Sequence, residues 1–213
     1  MTIKSLACTA ALVAVLPLPT AAATLDYFLK IDSAPGESAD SKHKNWIDVL
    51  SWSWGVSSVG GGGSGAGVGK SVFEPFSWEQ HLDASYVPMF LGLVQGTHLG
   101  NAQLDVVKLG AKDPTPFFQM ILGNSLVTKL TSSGAGDAIT VASALTYDKV
   151  TLRYRKQKAD GSYDAPIEGI FDLKANGVGF SGDPGVLRGM VEAGGTLNFV
   201  NQVPEPASWA SLA

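Results

Sequence analysis

The stretch "NWIDVLSWSWGVSSV", residues 45–59, confines the chain more than any other. A strand turns successive side chains to opposite faces. That puts Trp46, Asp48, Leu50, Trp52 and Trp54 on one side, and Ile47, Val49, Ser51 and Ser53 on the other. "TLDYFLKID" (24–32) repeats the pattern, with Leu25, Tyr27, Leu29 and Ile31 on one face. A wall that is largely apolar on one face and mixed on the other belongs to an antiparallel sandwich or barrel. Further strands are expected over 70–82, where Pro75 interrupts, and over 102–110, 116–131, 138–157 and 165–175, with a short one at "TLNFV" (196–200). Within "ADGSYD" (159–164), Asp160 and Gly161 form a hairpin dipeptide, because both tolerate positive φ. One helix is expected in "ASYVPMFLGLVQG" (84–96). Asp83 would cap it, Val87, Phe90, Leu91 and Val94 would form one apolar face, and Gly96 would stop it. Pro88 falls within about the first turn, where it is tolerated. The expected fold is mainly β, an antiparallel two-sheet β-barrel or sandwich with one α-helix.

The segment "VGGGGSGAGVGKS" (59–71) ends like a phosphate-binding loop. That loop needs Gly, four residues, then Gly-Lys-Ser/Thr. Counting back from Gly69, Lys70 and Ser71, the first glycine belongs at position 64, which is Ser. A phosphate loop also opens a helix, whereas Pro75 would break one here. Nucleotide binding is rejected. Of the 25 glycines, eight fall between Gly55 and Gly69, so the glycine is local and reads as a long strand connection. Gly60, Gly61, Gly62, Gly63, Gly65, Gly67 and Gly69 are candidate subunit-contact residues on that loop.

No residue pattern carries chemistry. His43, His81 and His98 are far apart, without metal-ligand spacing, and each reads as a surface or hydrogen-bonding residue. No Gly-x-Ser-x-Gly elbow is present. Asp148, Asp160, Asp164 and Glu168 read as solvated turns and strand ends. "RYRKQK" (153–158) reads as one charged strand face, and Trp46, Trp52 and Trp54 read as core rather than as a sugar platform. No catalytic residue, cofactor or metal is assigned. A net charge of −4 argues against a nucleic-acid partner, which would favour a basic face.

The two ends read differently from the middle. Lys4, the apolar run "LACTAALVAVLPL" and the small residues of "AAA" (21–23) read as a secretory signal peptide, with Ala21 and Ala23 at the cleavage positions. Cys8, the one cysteine, would leave with it, so no disulfide is expected. At the other end, Pro204, Glu205 and Pro206 resemble the opening of a PEP-CTERM sorting signal, of which the apolar span and basic cluster are absent. No stable membrane anchor is expected.

"DYFLKIDSAPGESADSKHKNWIDVLSWSWG" closely resembles the opening of the Hcp family, tube proteins of type VI secretion systems. The matching residues are 28–31, 36–38, 40–44 and 51–55. "HLDASYVPMFLGLVQGTHL" and "YDKVTLRYRKQKADGSYDAPIEGIFDLKAN" fit the family's helix and late hairpin. The resemblance covers about residues 24–177. It implies a two-sheet β-barrel with one helix, no enzyme activity, and homohexameric rings that stack into a tube. Sheath, spike or effector proteins are then possible partners. The implied organisation is a signal peptide (1–23), an Hcp-like barrel (24–177), a glycine-rich extension (178–203) and a partial sorting signal (204–213). The signal peptide departs from the family's cytoplasmic assembly. An exported, extracellular or surface protein without a role in type VI secretion is therefore the alternative, with a hydrolase on the same scaffold third.

Overall fold

In the computed structural model, residues 25–58, 71–109 and 114–181 are described. The strands that alternation predicts pair with antiparallel neighbours throughout. In chain order they are β1 (Leu25–Ile31), β2 (Ile47–Ser53), β3 (Val56–Ser58), β4 (Ser71–Phe73) and β5 (Phe76–His81). Helix α1 (Tyr86–Gln95) follows, then β6 (Ala102–Lys108), β7 (Phe118–Gly123), β8 (Leu126–Ala135) and β9 (Ala138–Thr146). The series closes with β10 (Lys149–Tyr154), β11 (Ile167–Asp172) and β12 (Gly177–Ser181). Ten strands form one sheet in the order β12-β11-β10-β7-β6-β1-β2-β5-β9-β8, and β3 with β4 forms a second, two-stranded sheet. The mainly β antiparallel expectation holds, with two very unequal sheets.

The large sheet curls on itself. Trp52 of β2 stacks 6.1 Å from Phe118 of β7, although β1 and β6 lie between these strands. Laid flat, three strand spacings would separate them by about 14 Å. Trp52 also stacks on Phe76, at 6.3 Å, and Phe76 on Trp78, at 5.7 Å. Around these rings pack Leu29, Ile47, Met89, Leu104, Met120, Leu122 and Leu145, all essentially buried. Full burial of each such side chain is worth about 1.5–3 kcal/mol. The small sheet is tied on by Phe73, which stacks 4.7 Å from Phe171 of β11. Trp54 Nε1 donates to the Tyr147 hydroxyl, and that hydroxyl donates to the Glu74 carbonyl (3.1 Å).

Several boundaries differ from the sequence reading. The expected strand 45–59 does not keep its faces. A register shift between Val49 and Ser51 is a bulge, and one extra residue reverses the alternation beyond it. Ile47 and Val49 are buried before the bulge and Trp52 packs inward after it, while Leu50 stays exposed. Segments 116–131 and 138–157 each split in two. Asn124 turns the chain between β7 and β8 at φ 56, and Tyr147 with Asp148 separates β9 from β10. The break at Pro75 is as expected, between β4 and β5. Strand β12 was not anticipated, and the expected strand at "TLNFV" lies outside the described residues. After Lys70 the chain enters strand β4, which pairs with β3, so no helix follows to face a phosphate.

Candidate assembly surface

Helix α1 holds no charged residue, and its buried residues are Met89 and Gly92. The expected stripe of Val87, Phe90, Leu91 and Val94 does share a face, but that face points to solvent. Val87 and Val94 are each 60 % exposed, and Phe90 and Leu91 each 46 %. A helix that is apolar all round is normally covered all round; the sequence reading named the stripe and assigned it no destination. The missed signal was the lack of any charge between Tyr86 and Gln95. Leu82 and Ile139 are also exposed, and they meet where the Leu82 N–H donates to the Ile139 carbonyl (3.0 Å).

The buried side of the helix is fixed by close contacts. A Cβ on Gly92 would come within 2.8 Å of Leu99, so the helix rides directly on that side chain. Gly96 ends the helix in a left-handed conformation, with its N–H bonded to Leu93 O and the Thr97 N–H bonded to Gly92 O. This is the paired bonding of a Schellman end. At the start, the expected Asp83 cap is corrected. Ser85 occupies the N-cap, without a side-chain cap bond, and Asp83 Oδ1 instead accepts the Ser85 N–H (3.0 Å) and hydroxyl. The same oxygen accepts the Gln80 amide (2.8 Å), whose own oxygen accepts Trp78 Nε1–H (2.6 Å). Buried Gln80 and Ser85 draw the carboxylate inward, one step before the helix. Burial raises the Asp83 carboxyl above its ordinary range, against the hydrogen bonds from Ser85, and nearby Glu37 adds to the rise.

A second polar cluster holds the loop between β1 and β2. The ring of His43, placed at the surface or in a hydrogen bond by sequence, is 4 % exposed. Its Nδ1 lies 2.8 Å from Asp40 Oδ1 and its Nε2 3.0 Å from Asp105 Oδ2. Asp105 Oδ1 accepts the side-chain amides of Gln103 and Gln119, each at 2.9 Å. Arg155 donates to Gln119 Oε1 and to the Pro116 carbonyl, each at 2.9 Å. Slight burial pushes the Asp40 carboxyl up, but the hydrogen bonds from His43 and from the Lys42 and His43 N–H groups outweigh it and hold it below its ordinary range. Among the described residues no group of three or more His, Cys, Asp or Glu is arranged to hold a metal ion, and no helix is long and apolar enough to cross a membrane.

Residues 28–160 match the family model described as "Type VI secretion system effector, Hcp". The chain belongs to the Hcp family. It is 32 % identical over 157 residues to Protein hcp1 of Pseudomonas aeruginosa, covering 71 % of this chain and 97 % of that protein. A solved type six secretion system protein superposes with a TM-score of 0.67 at 25 % identity, over 73 % of this chain and 100 % of its own. Hcp1 from Salmonella typhimurium gives a TM-score of 0.57 at 28 % identity, over 73 % and 99 %. This Hcp-family chain is therefore a type VI secretion protein with a structural role, and it is not an enzyme. The signal-peptide residues Ala21 and Ala23, the motif Pro204, Glu205 and Pro206, and the loop glycines Gly60, Gly61, Gly62, Gly63, Gly65, Gly67 and Gly69 all lie outside the described residues.

Proposed function

We propose that this Hcp chain is a ring-forming structural protein, six copies closing a homohexamer whose rings stack into a tube. The observation that carries this reading is the exposed stripe of Val87, Phe90, Leu91 and Val94 on a chain of this family. An uncharged apolar face of this kind marks a protein contact. A head-to-tail contact that closes after a fixed rotation makes a ring, and stacking needs a second contact. The glycine segment 59–70, between β3 and β4, is the proposed second contact. Val56 and Val72, each at least half exposed, flank it on the two strands. Sheath, spike or effector proteins are the proposed further partners. Annular particles in negative stain of the purified protein are expected, and their loss in Leu91→Glu; rings that persist in that variant would remove the helix from the contact.

A second reading has its own support. Lys4, the apolar run before Ala21 and Ala23, and Pro204, Glu205 and Pro206 favour export through a signal peptide to the periplasm, surface or medium, with the fold retained. Alkaline phosphatase fused after residue 30 separates the two. An active fusion supports export by this route, and an inactive one removes the second reading.

A further inference from the structure

The loop between β1 and β2 is anchored to the sheet by one imidazole with a carboxylate at each nitrogen. Nδ1 of His43 faces Asp40 (2.8 Å) and Nε2 faces Asp105 (3.0 Å). A neutral imidazole has one N–H and one lone pair, and an ionised carboxylate can only accept. A neutral ring between two ionised carboxylates would therefore set lone pair against lone pair at one of these contacts. Both contacts are satisfied only if the group holds one more proton. Asp105 Oδ1 already accepts two amides, so a proton on that carboxyl has only Oδ2, the oxygen facing Nε2. On either assignment the extra proton lies between His43 and Asp105 or on Nδ1.

The remaining neighbours are consistent with a charged ring. The imidazole stacks on Phe28 of β1, 4.2 Å away and 3° from parallel, and meets Trp46 edge-on at 4.8 Å. A cation over an aromatic face is attracted by the ring quadrupole. From β6 the groups facing the ring are Asp105 and, through it, Gln103. From β7 comes Gln119, with Arg155 of β10 behind it. Lys42 and Lys44 of the loop are exposed. His43, Asp105 and Lys42 also line a surface cleft of about 280 Å³, which gives the buried pair a path for proton exchange.

We infer that Asp40, His43 and Asp105 form a proton-operated latch, closed while it holds its extra proton, that fastens the loop of residues 32–46 to the sheet. Asp40 lies on the loop and Asp105 on β6, so loss of that proton frees the loop when the contact broken is the one to Asp105. The loop's own bonds, Gly36 N–H to Asn45 O (2.9 Å), Ser38 N–H to Trp46 O (2.9 Å) and Asn45 N–H to Ser38 O (3.0 Å), then exchange with solvent.

Nitrogen and carbon NMR of the intact protein at about pH 7, in the ordinary imidazole range, counts the protons directly. The latch requires either an imidazolium at His43 or a protonated carboxyl at Asp105. A neutral imidazole beside two ionised carboxylates overturns it. Amide exchange of Gly36, Ser38 and Asn45, corrected for base catalysis, is then followed upward from about pH 6. Opening is expected to rise by up to about tenfold per pH unit over the window in which the open loop has given up the proton and the closed latch still holds it, the slope of one linked proton, and to level off above that window. A flat corrected profile up to about pH 10 contradicts the latch. In Asp105→Asn, the new amide can donate to Nε2 of a neutral ring while its oxygen still accepts from Gln103 and Gln119. The variant is expected to stay closed across the same range, and a wild-type slope in it also overturns the assignment.

Discussion

Met89 and Phe90 are neighbours on one helix and have opposite surroundings. Met89 is fully buried and Phe90 is 46 % exposed. The loop at residues 32–46 differs again, since its buried residues include the polar Ser38 and His43 beside Ala34. On the helix, apolar surface faces both the core and water. On the loop, a buried imidazole and carboxylate fasten the chain. The contrast separates side chains that hold the fold from side chains proposed to hold a partner, and substitutions can test that separation in turn.

The largest expected effect is on assembly. Phe90→Glu places a charge in the outward stripe. It is expected to abolish the assembled form in analytical ultracentrifugation, while urea unfolding of the monomer moves by only about 0.5 kcal/mol. Met89→Ala should do the reverse, costing about 2–5 kcal/mol in the same unfolding measurement through the cavity it leaves. Equal stability losses in both variants would erase the distinction between the two faces.

The next effect lies in the loop. A Cβ on Gly36 would lie 2.4 Å from the Trp46 carbonyl oxygen and 2.7 Å from Asp83 Oδ2. Since backbone cannot yield cheaply, Gly36→Ala is expected to cost about 1–3 kcal/mol by overpacking, measured as a lowered denaturant midpoint. An unchanged midpoint would mean that the loop is not pressed against Asp83 and Trp46 as described.

Much of this was legible in the sequence, for particular reasons. Alternation in "TLDYFLKID" carried the β class, because a half-buried strand must alternate. Pro75 and Gly96 marked real ends, because Pro fixes φ and Gly readily takes the left-handed conformation that closes the helix. The faces of 45–59 were not legible, since the bulge at Val49 and Ser51 depends on pairing with β5. Nor was the destination of the helix stripe, since periodicity shows which residues share a face and not whether that face meets core or water. His43 looked like a loop residue among charges, and only its return onto β6, 62 positions away, makes it part of the interior.

The smallest effects are in pH dependence, and they have opposite signs in the two regions. Asp83 has a raised folded value. The folded state thus binds more protons over the window above the ordinary carboxylate range. Its contribution is full below that range and is lost as pH rises through the raised value. Asp40 has a lowered folded value, so its contribution is present above the ordinary carboxylate range and is lost as pH falls through the lowered one. Denaturant midpoints followed against pH should lose the first slope in Asp83→Asn and the second in Asp40→Asn. Identical profiles in the two variants would contradict the assigned surroundings.

The separation of core and partner faces rests most directly on the molar mass of the purified protein, measured by light scattering across a wide concentration range. A discrete closed assembly of six chains is expected, which Phe90→Glu converts to folded monomer. A wild-type protein that stays monomeric at every concentration, with the helix stripe still in water, would contradict it.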